Sequence, residues 1–328
     1  MSAPTLNRPA PHDDPEKPAG GSRLGRRAFL GGVAAIFAGA GGAGAWAADR
    51  YLLDKVAVAG TSTITAENVS VAEAAADGQF TSTGYRSDTA KIDIATYTTG
   101  SGSSTVTGYV ATIEVSDATI VRSAFAGDNF GQSITADPST IAAQVGAALA
   151  INGDYYGFRT DGIVVRNGVA YRDVPAREGL ALYSDGTMRL YDETTTSADA
   201  LVADGAWCAW SFGPGLVENG SIRSGIESIE VDTNFGNHSV QGNQPRTGIG
   251  MIEPNTFLMI VVDGRSSGYS RGVTMTEFAQ IFLDQEAQVA YNLDGGGSST
   301  MVLDDTLVNN PLGRGQERGT SDIIYVAG

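Results

Sequence analysis

Alternating apolar and polar positions dominate the chain after residue 90, and they predict a protein built mainly from β-strands. The segments KIDIATYTTG and TVTGYVATIEVSD alternate on either side of a Gly/Ser turn, which predicts a hairpin, and TIVRSAFAG follows as a further strand. Two more hairpins are predicted to turn at Asn167-Gly168 and at Asp185-Gly186. The apolar run FLMIVVDGR is typical of a strand that is buried on both faces.

Two segments have the spacing and the end signals of α-helices. DPSTIAAQVGAA offers Asp137 as the N-cap and Pro138 at the first helical position. TMTEFAQIFLDQ carries Glu277 three residues after Thr274, which is the arrangement of a capping box and favours a structural role for that glutamate. Many strands, two clear helices and no regular alternation of strand and helix predict the α+β class, with mixed, largely antiparallel sheets in one domain.

A hydrophobic segment precedes this domain. Residues 28–48 carry no charge and, as a helix, would span about 30 Å of hydrocarbon. The arginines that precede them predict a cytoplasmic N-terminus and a single-pass protein of the cell membrane with an extracytoplasmic C-terminal domain. The segment is also similar to a twin-arginine export signal, so cleavage near Ala47 is the alternative to a retained anchor. The predicted organisation is a cytoplasmic leader (1–27), an anchor or signal (28–48), a stalk or peripheral segment (49–90) and the main domain (91–328).

Charge and composition narrow the classes of partner. The 328 residues have a formal net charge of −16, which disfavours binding to nucleic acid because its backbone is also negative. The single cysteine, Cys208, excludes an intrachain disulfide. The only histidines are His12 and His238, so a multi-histidine zinc site is excluded and a Ser-His-Asp triad would depend on His238.

A short motif occurs twice. Each predicted helix is followed by an A-x-N-x-D segment and then by a hairpin, and the two copies run from Ala150 to Asp154 and from Ala290 to Asp294. Residues two apart in a strand point to the same side, so each copy presents an asparagine and an aspartate together. We hypothesise a degenerate internal duplication that brings Asp154 and Asp294 to one shared site.

The second copy continues into three consecutive glycines, in NLDGGGSST. A phosphate-binding Walker loop requires a lysine and a following helix, and this segment has neither, so a nucleotide P-loop is excluded. A strand that ends at Asp294 remains, followed by a glycine turn whose N–H groups are candidates for binding an anion.

Several segments together resemble one known family. QPRTGIGMI, VVDGRSSGYSRGVTMTEFAQIFLDQEAQVAYNLDGGGSSTMVLDDTLVNNP, ERGTSDIIYV and AINGDYYGFRTDGIVVRNGVAYRD are similar to the phosphodiester glycosidase family, in the version carried by membrane-anchored bacterial proteins linked to exopolysaccharide biosynthesis. The resemblance covers roughly residues 105–328. It implies an extracytoplasmic hydrolase that cleaves a glycosyl phosphodiester in cell-envelope or exopolysaccharide material.

The resemblance also implies a site. Cleavage of the sugar C–O bond builds positive charge on the anomeric carbon, so a carboxylate is needed there, and we expect Asp294 first and Asp154 second in that role. The leaving phosphate needs anion-binding groups. The candidate substrate-binding residues are Asn152, Arg246, Asp263, Arg265, Asn292, Gly295, Gly296, Gly297, Ser298, Ser299 and Arg318.

Other interpretations stay open at this point. No cofactor is required, but a divalent cation such as calcium is an alternative, with Asp154, Asp263 and Asp294 as its oxygen ligands. The expected partners are a glycan or glycosyl-phosphodiester substrate and, through residues 28–48, the membrane. The alternative functions are a phosphodiesterase that cleaves P–O bonds and a non-catalytic module that binds surface glycans in polysaccharide assembly.

Overall fold

The computed structural model describes residues 53–67, 69–231 and 239–328. The predicted leader, the anchor or signal segment and His238 lie outside the described residues. Among the residues that are described, no helix is both long enough and apolar enough to cross a membrane.

Strands make up most of the described secondary structure. In chain order they are β1 (Lys55–Ala59), β2 (Gln79–Thr81), β3 (Gly84–Arg86), β4 (Ala90–Thr99), β5 (Val106–Val115), β6 (Val121–Phe125), β7 (Asn129–Gln132), β8 (Ala147–Asn152), β9 (Gly162–Arg166), β10 (Val169–Val174), β11 (Glu178–Tyr183), β12 (Met188–Asp192), β13 (Ala206–Trp210), β14 (Gly215–Glu218), β15 (Ser221–Ile222), β16 (Arg246–Glu253), β17 (Thr256–Val262), β18 (Val289–Asn292), β19 (Met301–Leu303), β20 (Thr306–Leu307) and β21 (Asp322–Ala327). The α-helices are α1 (Pro138–Val145), α2 (Ala198–Ala203) and α3 (Met275–Asp284).

These strands form three large sheets and one small one. The nine-stranded sheet has the order β15-β14-β18-β16-β17-β5-β4-β3-β2, and the two five-stranded sheets have the orders β20-β19-β8-β21-β6 and β10-β9-β13-β11-β12. Strands β1 and β7 form a separate pair. Every strand pair within the described residues is antiparallel. The predicted largely antiparallel α+β architecture is confirmed, although the described helices number three rather than two because α2 is only six residues long.

The predicted hairpins are confirmed, and their turns have a local cause. Strands β9 and β10 pair across Asn167 and Gly168, which both have positive φ (53° and 77°), as a two-residue turn between twisted strands requires. Strands β11 and β12 pair across a turn in which Gly186 has φ 86°. Strands β4 and β5 pair along their full ten residues.

The ends of the two predicted helices differ in detail from each other. Asp137 is the N-cap residue of α1 and Pro138 follows it, but the Asp137 side chain makes no capping hydrogen bond. The N–H of Ser139 donates instead to Glu317 Oε1, at 2.8 Å. At α3 the predicted capping box is confirmed, because Thr274 Oγ1 accepts from the Glu277 N–H and the Glu277 carboxylate accepts from the Thr274 N–H.

The nine-stranded sheet explains the apolar run of β17. This strand lies between β16 and β5, with Leu258 and Ile260 on the face that packs against Phe278 of α3. Its alternate residues, such as Met259, belong to the larger core shared with the five-stranded sheets. Both faces of β17 are therefore buried, as predicted, and each such side chain contributes about 1.5–3 kcal/mol by leaving water.

The sheet begins earlier in the chain than residue 91. Strands β2 and β3 extend its edge beyond β4, and Tyr85 of β3 is buried in the main core at 1% exposure. Residues 79–90 are therefore part of the domain at its periphery. For these residues the structure favours the peripheral alternative of the 49–90 prediction over a stalk, because they pair with and pack on the sheet.

Candidate active site

A cavity of about 490 Å³ lies where the C-terminal ends of β8, β13 and β18 converge, with one of these strands from each large sheet. Nine of the thirteen predicted site residues line it. They are Asp154, Arg246, Arg265, Asn292, Asp294, Gly295, Gly296, Ser298 and Arg318. The cavity is therefore the candidate active site, and the two copies of the A-x-N-x-D motif meet there as hypothesised.

Asn152 and Asn292 end equivalent strands but make different contacts. Asn152 is fully buried behind the cavity, where its Nδ2 donates to the Asp294 carbonyl at 2.7 Å and its Oδ1 accepts from Thr247 Oγ1 at 2.7 Å. Asn292 lines the cavity, and its Nδ2 donates to the Gly213 carbonyl at 2.8 Å. Asn152 thus fixes the backbone beneath Asp294, which differs from the predicted direct contact with substrate.

Asp154 is held rigidly. Its side chain is 2% exposed, and Oδ1 accepts from the Tyr156 N–H at 3.0 Å. Oδ2 accepts from the Ser211 N–H at 3.0 Å and from Arg166 Nη2 at 2.9 Å. Both oxygens are thus engaged by donors of the protein, so Asp154 presents a fixed carboxylate to the cavity wall.

Two residues behind Asp154, Arg166 and Asp322, were not predicted from the sequence. Arg166 is 1% exposed and lies between Asp154 and Asp322, with Nη2 2.9 Å from an oxygen of each carboxylate. Burial alone would lower the pKa of Arg166, but the two carboxylates raise it. Burial raises the pKa of Asp322 well above its ordinary value, and the charge of Arg166 opposes that rise. The sequence offered one signal for them, a charged residue at one end of an apolar strand. Arg166 is the last residue of β9, and Asp322 is the first residue of β21.

Asp294 differs from Asp154 in its exposure and in its contacts. Its side chain keeps 15% exposure, Oδ1 accepts from the Gly295 N–H at 2.9 Å, and Oδ2 lies 3.5 Å from Arg318 Nη2. Burial raises the pKa of Asp294, while Arg318, Ser298 and the Gly295 N–H oppose that rise. A carboxyl group with a raised pKa at a cavity surface is suited to proton transfer or to reaction at an electrophilic carbon.

Two of the three N–H groups that the sequence offered for binding an anion are engaged within the protein. The Gly295 N–H donates to the Asp294 carboxylate and the Gly296 N–H donates to the Pro245 carbonyl at 3.0 Å. The glycines serve close packing instead: a Cβ at Gly295 would lie 2.7 Å from the Pro245 carbonyl oxygen, and Gly296 has φ 64°. Gly297 lies outside the cavity lining, with Arg318 packed against it.

Three guanidinium groups supply positive charge to the cavity. Arg246 is 3% exposed, and its hydrogen bonds go to the carbonyls of Val273, Val240 and Gly242. Burial, together with the charge of Arg265, lowers the pKa of Arg246 to about 10, so the group stays cationic at neutral pH. Within the described residues, neither Arg246 nor Arg265 has a carboxylate within ion-pair distance.

Arg265 and Arg318 flank the glycine turn. Arg265 has φ 55° and donates from Nε to Gln244 Oε1 at 2.7 Å. Arg318 donates from Nε and Nη2 to Ser298 Oγ, at 3.1 and 2.5 Å, which explains the presence of Ser298 in the site. Burial and the charge of Arg318 lower the pKa of Arg265. The three arginines therefore repel one another, and an anion bound among them would relieve that repulsion.

Two predicted residues support the site from outside the cavity. Asp263 is fully buried, and its carboxylate accepts from Asn309 Nδ2, the Asn310 N–H and Tyr269 Oη, at 2.8 to 2.9 Å. Ser299 is 1% exposed, and its carbonyl accepts from the same Asn309 side chain. The expectation that Asp263 binds substrate is therefore corrected: it joins the loop of Arg265 to residues 309–310.

The metal alternative has no ready-made ligand cluster. Among the residues that the structure describes, no group of three His, Cys, Asp or Glu side chains is arranged to hold an ion. Asp263 lies outside the cavity lining, whereas Asp154 and Asp294 line it. The oxygens of Asp154 are already engaged by Arg166 and by N–H groups. The three carboxylates proposed as ligands are thus not brought together.

An aromatic wall completes the cavity. Tyr155, Phe158 and Phe212 line it, and the rings of Tyr155 and Phe158 stack with centroids 4.8 Å apart. The Arg159 guanidinium lies over the Phe212 ring, 4.8 Å from its centroid. Tyr156, by contrast, is 1% exposed and packs on Phe130 in a separate core cluster. Of the two adjacent tyrosines, one ring therefore faces the cavity and the other faces the core.

The comparisons with known proteins identify the family of this chain. The family model described as phosphodiester glycosidase matches residues 145–327, more than half of the chain, and the protein belongs to that family. The matched segment contains both aspartates and all three cavity arginines.

Individual relatives match shorter parts. The SPbeta prophage-derived uncharacterized protein YomE of Bacillus subtilis is 32% identical over 190 residues, which are 55% of this chain and 28% of that protein. N-acetylglucosamine-1-phosphodiester alpha-N-acetylglucosaminidase of Bos taurus is 36% identical over 101 residues, 29% of this chain and 19% of that protein. The chain thus spans less than a third of the length of either relative.

A solved structure supports the fold. The catalytic domain of the zebrafish N-acetylglucosamine-1-phosphodiester alpha-N-acetylglucosaminidase superposes with a TM-score of 0.59 at 22% sequence identity. The superposition covers 77% of this chain and 88% of the zebrafish chain.

Proposed function

We propose that this protein hydrolyses a glycosyl phosphodiester by cleaving the C–O bond between the anomeric carbon and the phosphate oxygen. The observation that carries the proposal is the cavity that places Asp294, with its raised pKa, next to Arg318 and shares its lining with Arg246 and Arg265. The family membership and the bovine relative support the same reaction, with N-acetylglucosamine as the first sugar to test.

The two aspartates have separate roles in this proposal. The cleaved bond leaves positive charge on the anomeric carbon, and Asp294 acts there, either on the carbon itself or on the water that attacks it. Asp154, fixed by Arg166 and two N–H groups, stays in place as a negative charge that stabilises the same cation. Water supplies the oxygen that ends on the sugar.

The arginines act on the other product. The phosphate monoester leaves with the oxygen of the broken bond and gains a negative charge as it departs. Arg246, Arg265 and Arg318 line the cavity where that charge would develop, and guanidinium groups bind phosphate oxygens through charge-assisted hydrogen bonds. The aromatic wall of Tyr155, Phe158 and Phe212 offers a surface for the apolar face of the sugar ring.

We place this activity outside the cytoplasm, on cell-envelope or exopolysaccharide material. The uncharged segment 28–48 with arginines before it supports export or membrane anchoring.

The full-length protein should be incubated with a methyl phosphodiester of N-acetylglucosamine 1-phosphate in ¹⁸O-labelled water, with and without chelator. We expect the label in the released sugar and methyl phosphate without label. Label in the phosphate would instead establish P–O cleavage and overturn the proposal. The matched control is Asp304→Asn in the exposed β19–β20 turn, which should keep the activity that Asp294→Asn loses.

A further inference from the structure

The positive charge around the cavity exceeds what the single negative charge of a phosphodiester would neutralise. Three guanidinium groups line the cavity, and among the described residues only Arg318 lies within ion-pair distance of a carboxylate, Asp294 at 3.5 Å. The second lining carboxylate, Asp154, is already paired with Arg166 in the wall. Within the described residues, the cavity therefore has a surplus of about two positive charges if Asp294 is ionised.

Arg246 makes this surplus costly. It is 97% buried, since its exposure is 3%, and its three hydrogen bonds go to carbonyl oxygens rather than to a carboxylate. A buried cation without an anionic partner is destabilising, and an anion that enters the cavity would provide the missing partner. The site is thus built for an anion, and the size of the surplus indicates which one.

The two phosphate species of the reaction differ in charge. A phosphodiester carries one negative charge, whereas a phosphomonoester carries two above its second pKa of about 6. We propose that the cavity binds a phosphomonoester dianion more tightly than a phosphodiester monoanion, so that the enzyme is inhibited by its own phosphate product. This inference rests on the proposed function for its product, but the binding preference itself follows from the arginines.

The preference has a consequence for the reaction. An environment that favours the second negative charge also favours the transition state, in which that charge is forming. The same arginines would therefore accelerate bond cleavage and slow the release of the monoester. A reaction that consumes the phosphomonoester would keep this enzyme active.

The test compares two small probes on the full-length protein at about pH 8, where the monoester is doubly charged. Methyl phosphate and dimethyl phosphate are titrated by calorimetry, and methyl phosphate is also added to the hydrolysis assay. We expect methyl phosphate to bind at least about 10-fold more tightly than dimethyl phosphate, because charge-assisted hydrogen bonds are the stronger ones. It should inhibit hydrolysis competitively.

Arginine variants identify the source of the preference. Arg265→Gln and Arg318→Gln change exposed groups and should fold, while Arg246→Gln changes a buried one and needs a melting curve beside it. Each should weaken methyl phosphate binding by about 10-fold and dimethyl phosphate binding by less. Arg189→Gln, at a surface pair with Asp185 and Asp204, should change neither.

Equal affinity for the two probes, tighter binding of the diester, no binding of either, or an unchanged monoester affinity in the two exposed arginine variants would overturn the inference. Hydrolysis without the monoester preference would leave the proposed function in place. A monoester preference without any hydrolysis would instead refute the proposed function and support the binding site.

Discussion

The two aspartates that end the A-x-N-x-D segments line the same cavity but differ in their exposure and in their hydrogen bonds. Asp154 is buried, and both its oxygens accept hydrogen bonds, one of them from the guanidinium of Arg166. Asp294 keeps partial exposure, has its cation at 3.5 Å and has a raised pKa. One motif has thus produced a carboxylate that is held rigidly and a carboxylate that is available for reaction.

The surroundings explain this difference. The segment after Asp154 turns into a wall where Arg166 and the Ser211 N–H point at the carboxylate. The segment after Asp294 turns on glycines, which leaves the carboxylate at the surface of the cavity beside Arg318. Position in a motif therefore predicts where a side chain lies, while its neighbours decide what it does.

The largest effect should come from Asp294→Asn. Loss of the reacting carboxyl group should lower kcat by about 10³-fold in the hydrolysis assay. Its stability should not fall: because the folded-state pKa is raised, the wild-type carboxylate is costly at neutral pH, and the amide removes that cost. A thermal midpoint well below that of the wild type would mean that Asp294 is structural, like Asp154.

Asp154→Asn should differ from Asp294→Asn by a large loss of stability, in addition to the loss of the negative charge that stabilises the cation. It removes one partner of a buried ion pair, which typically costs about 3–5 kcal/mol, and denaturant unfolding would measure it. Asp161→Asn is the matched control, because its pair with Arg177 is partly exposed and should be worth less than about 1 kcal/mol. Similar small losses for both variants would contradict the rigid role of Asp154.

Arg318→Gln should change the pH dependence of the reaction, because it removes the cation that lies 3.5 Å from the Asp294 carboxylate. Burial raises the pKa of Asp294 and Arg318 opposes that rise, so removing the guanidinium should raise this pKa further. The limb of the pH–rate profile that follows Asp294 should move to higher pH, by up to about one unit, because Arg318 is itself half-exposed and screened. A limb that stays in place, or moves to lower pH, would show that Asp294 does not set it.

The smallest effect should come from Asp322→Asn. Burial raises the pKa of Asp322 well above its ordinary value, which lowers the cost of a neutral group at this position, and an amide has nearly the same shape as the carboxyl group. We expect a change of less than about 1 kcal/mol near neutral pH. Since a raised folded-state pKa makes wild-type stability fall as pH rises through it, the variant should gain relative to the wild type at higher pH. A loss as large as that of Asp154→Asn would show that Asp322 is ionised.

Structural features that depend only on neighbouring residues were predicted correctly from the sequence. The turns at Asn167-Gly168 and Asp185-Gly186, and the capping box of Thr274 and Glu277, were predicted because each depends on residues within a few positions. Helix α2, with six residues, was missed because it is shorter than two helical turns and shows no clear period.

The candidate site was predicted in part for the same reason. The motif copies placed Asp154 and Asp294 at strand ends, and both line the cavity. Arg166 and Asp322 could not be paired from sequence, because they are 156 positions apart and only the packing of two sheets brings them together. The direction of the Gly296 N–H could not be predicted either, since it depends on the distant Pro245 carbonyl.

The sequence by itself determined the antiparallel strand pattern, the helix ends and the family, because alternation, capping and motif spacing are properties of neighbouring residues. Only the tertiary structure decided that both carboxylate oxygens of Asp154 accept hydrogen bonds from the protein. It also decided that Asp263 holds neighbouring loops together instead of lining the cavity, and that Arg246 is buried without a carboxylate partner among the described residues. Burial and long-range hydrogen bonds set these states, and both arise only when separate sheets meet around one cavity.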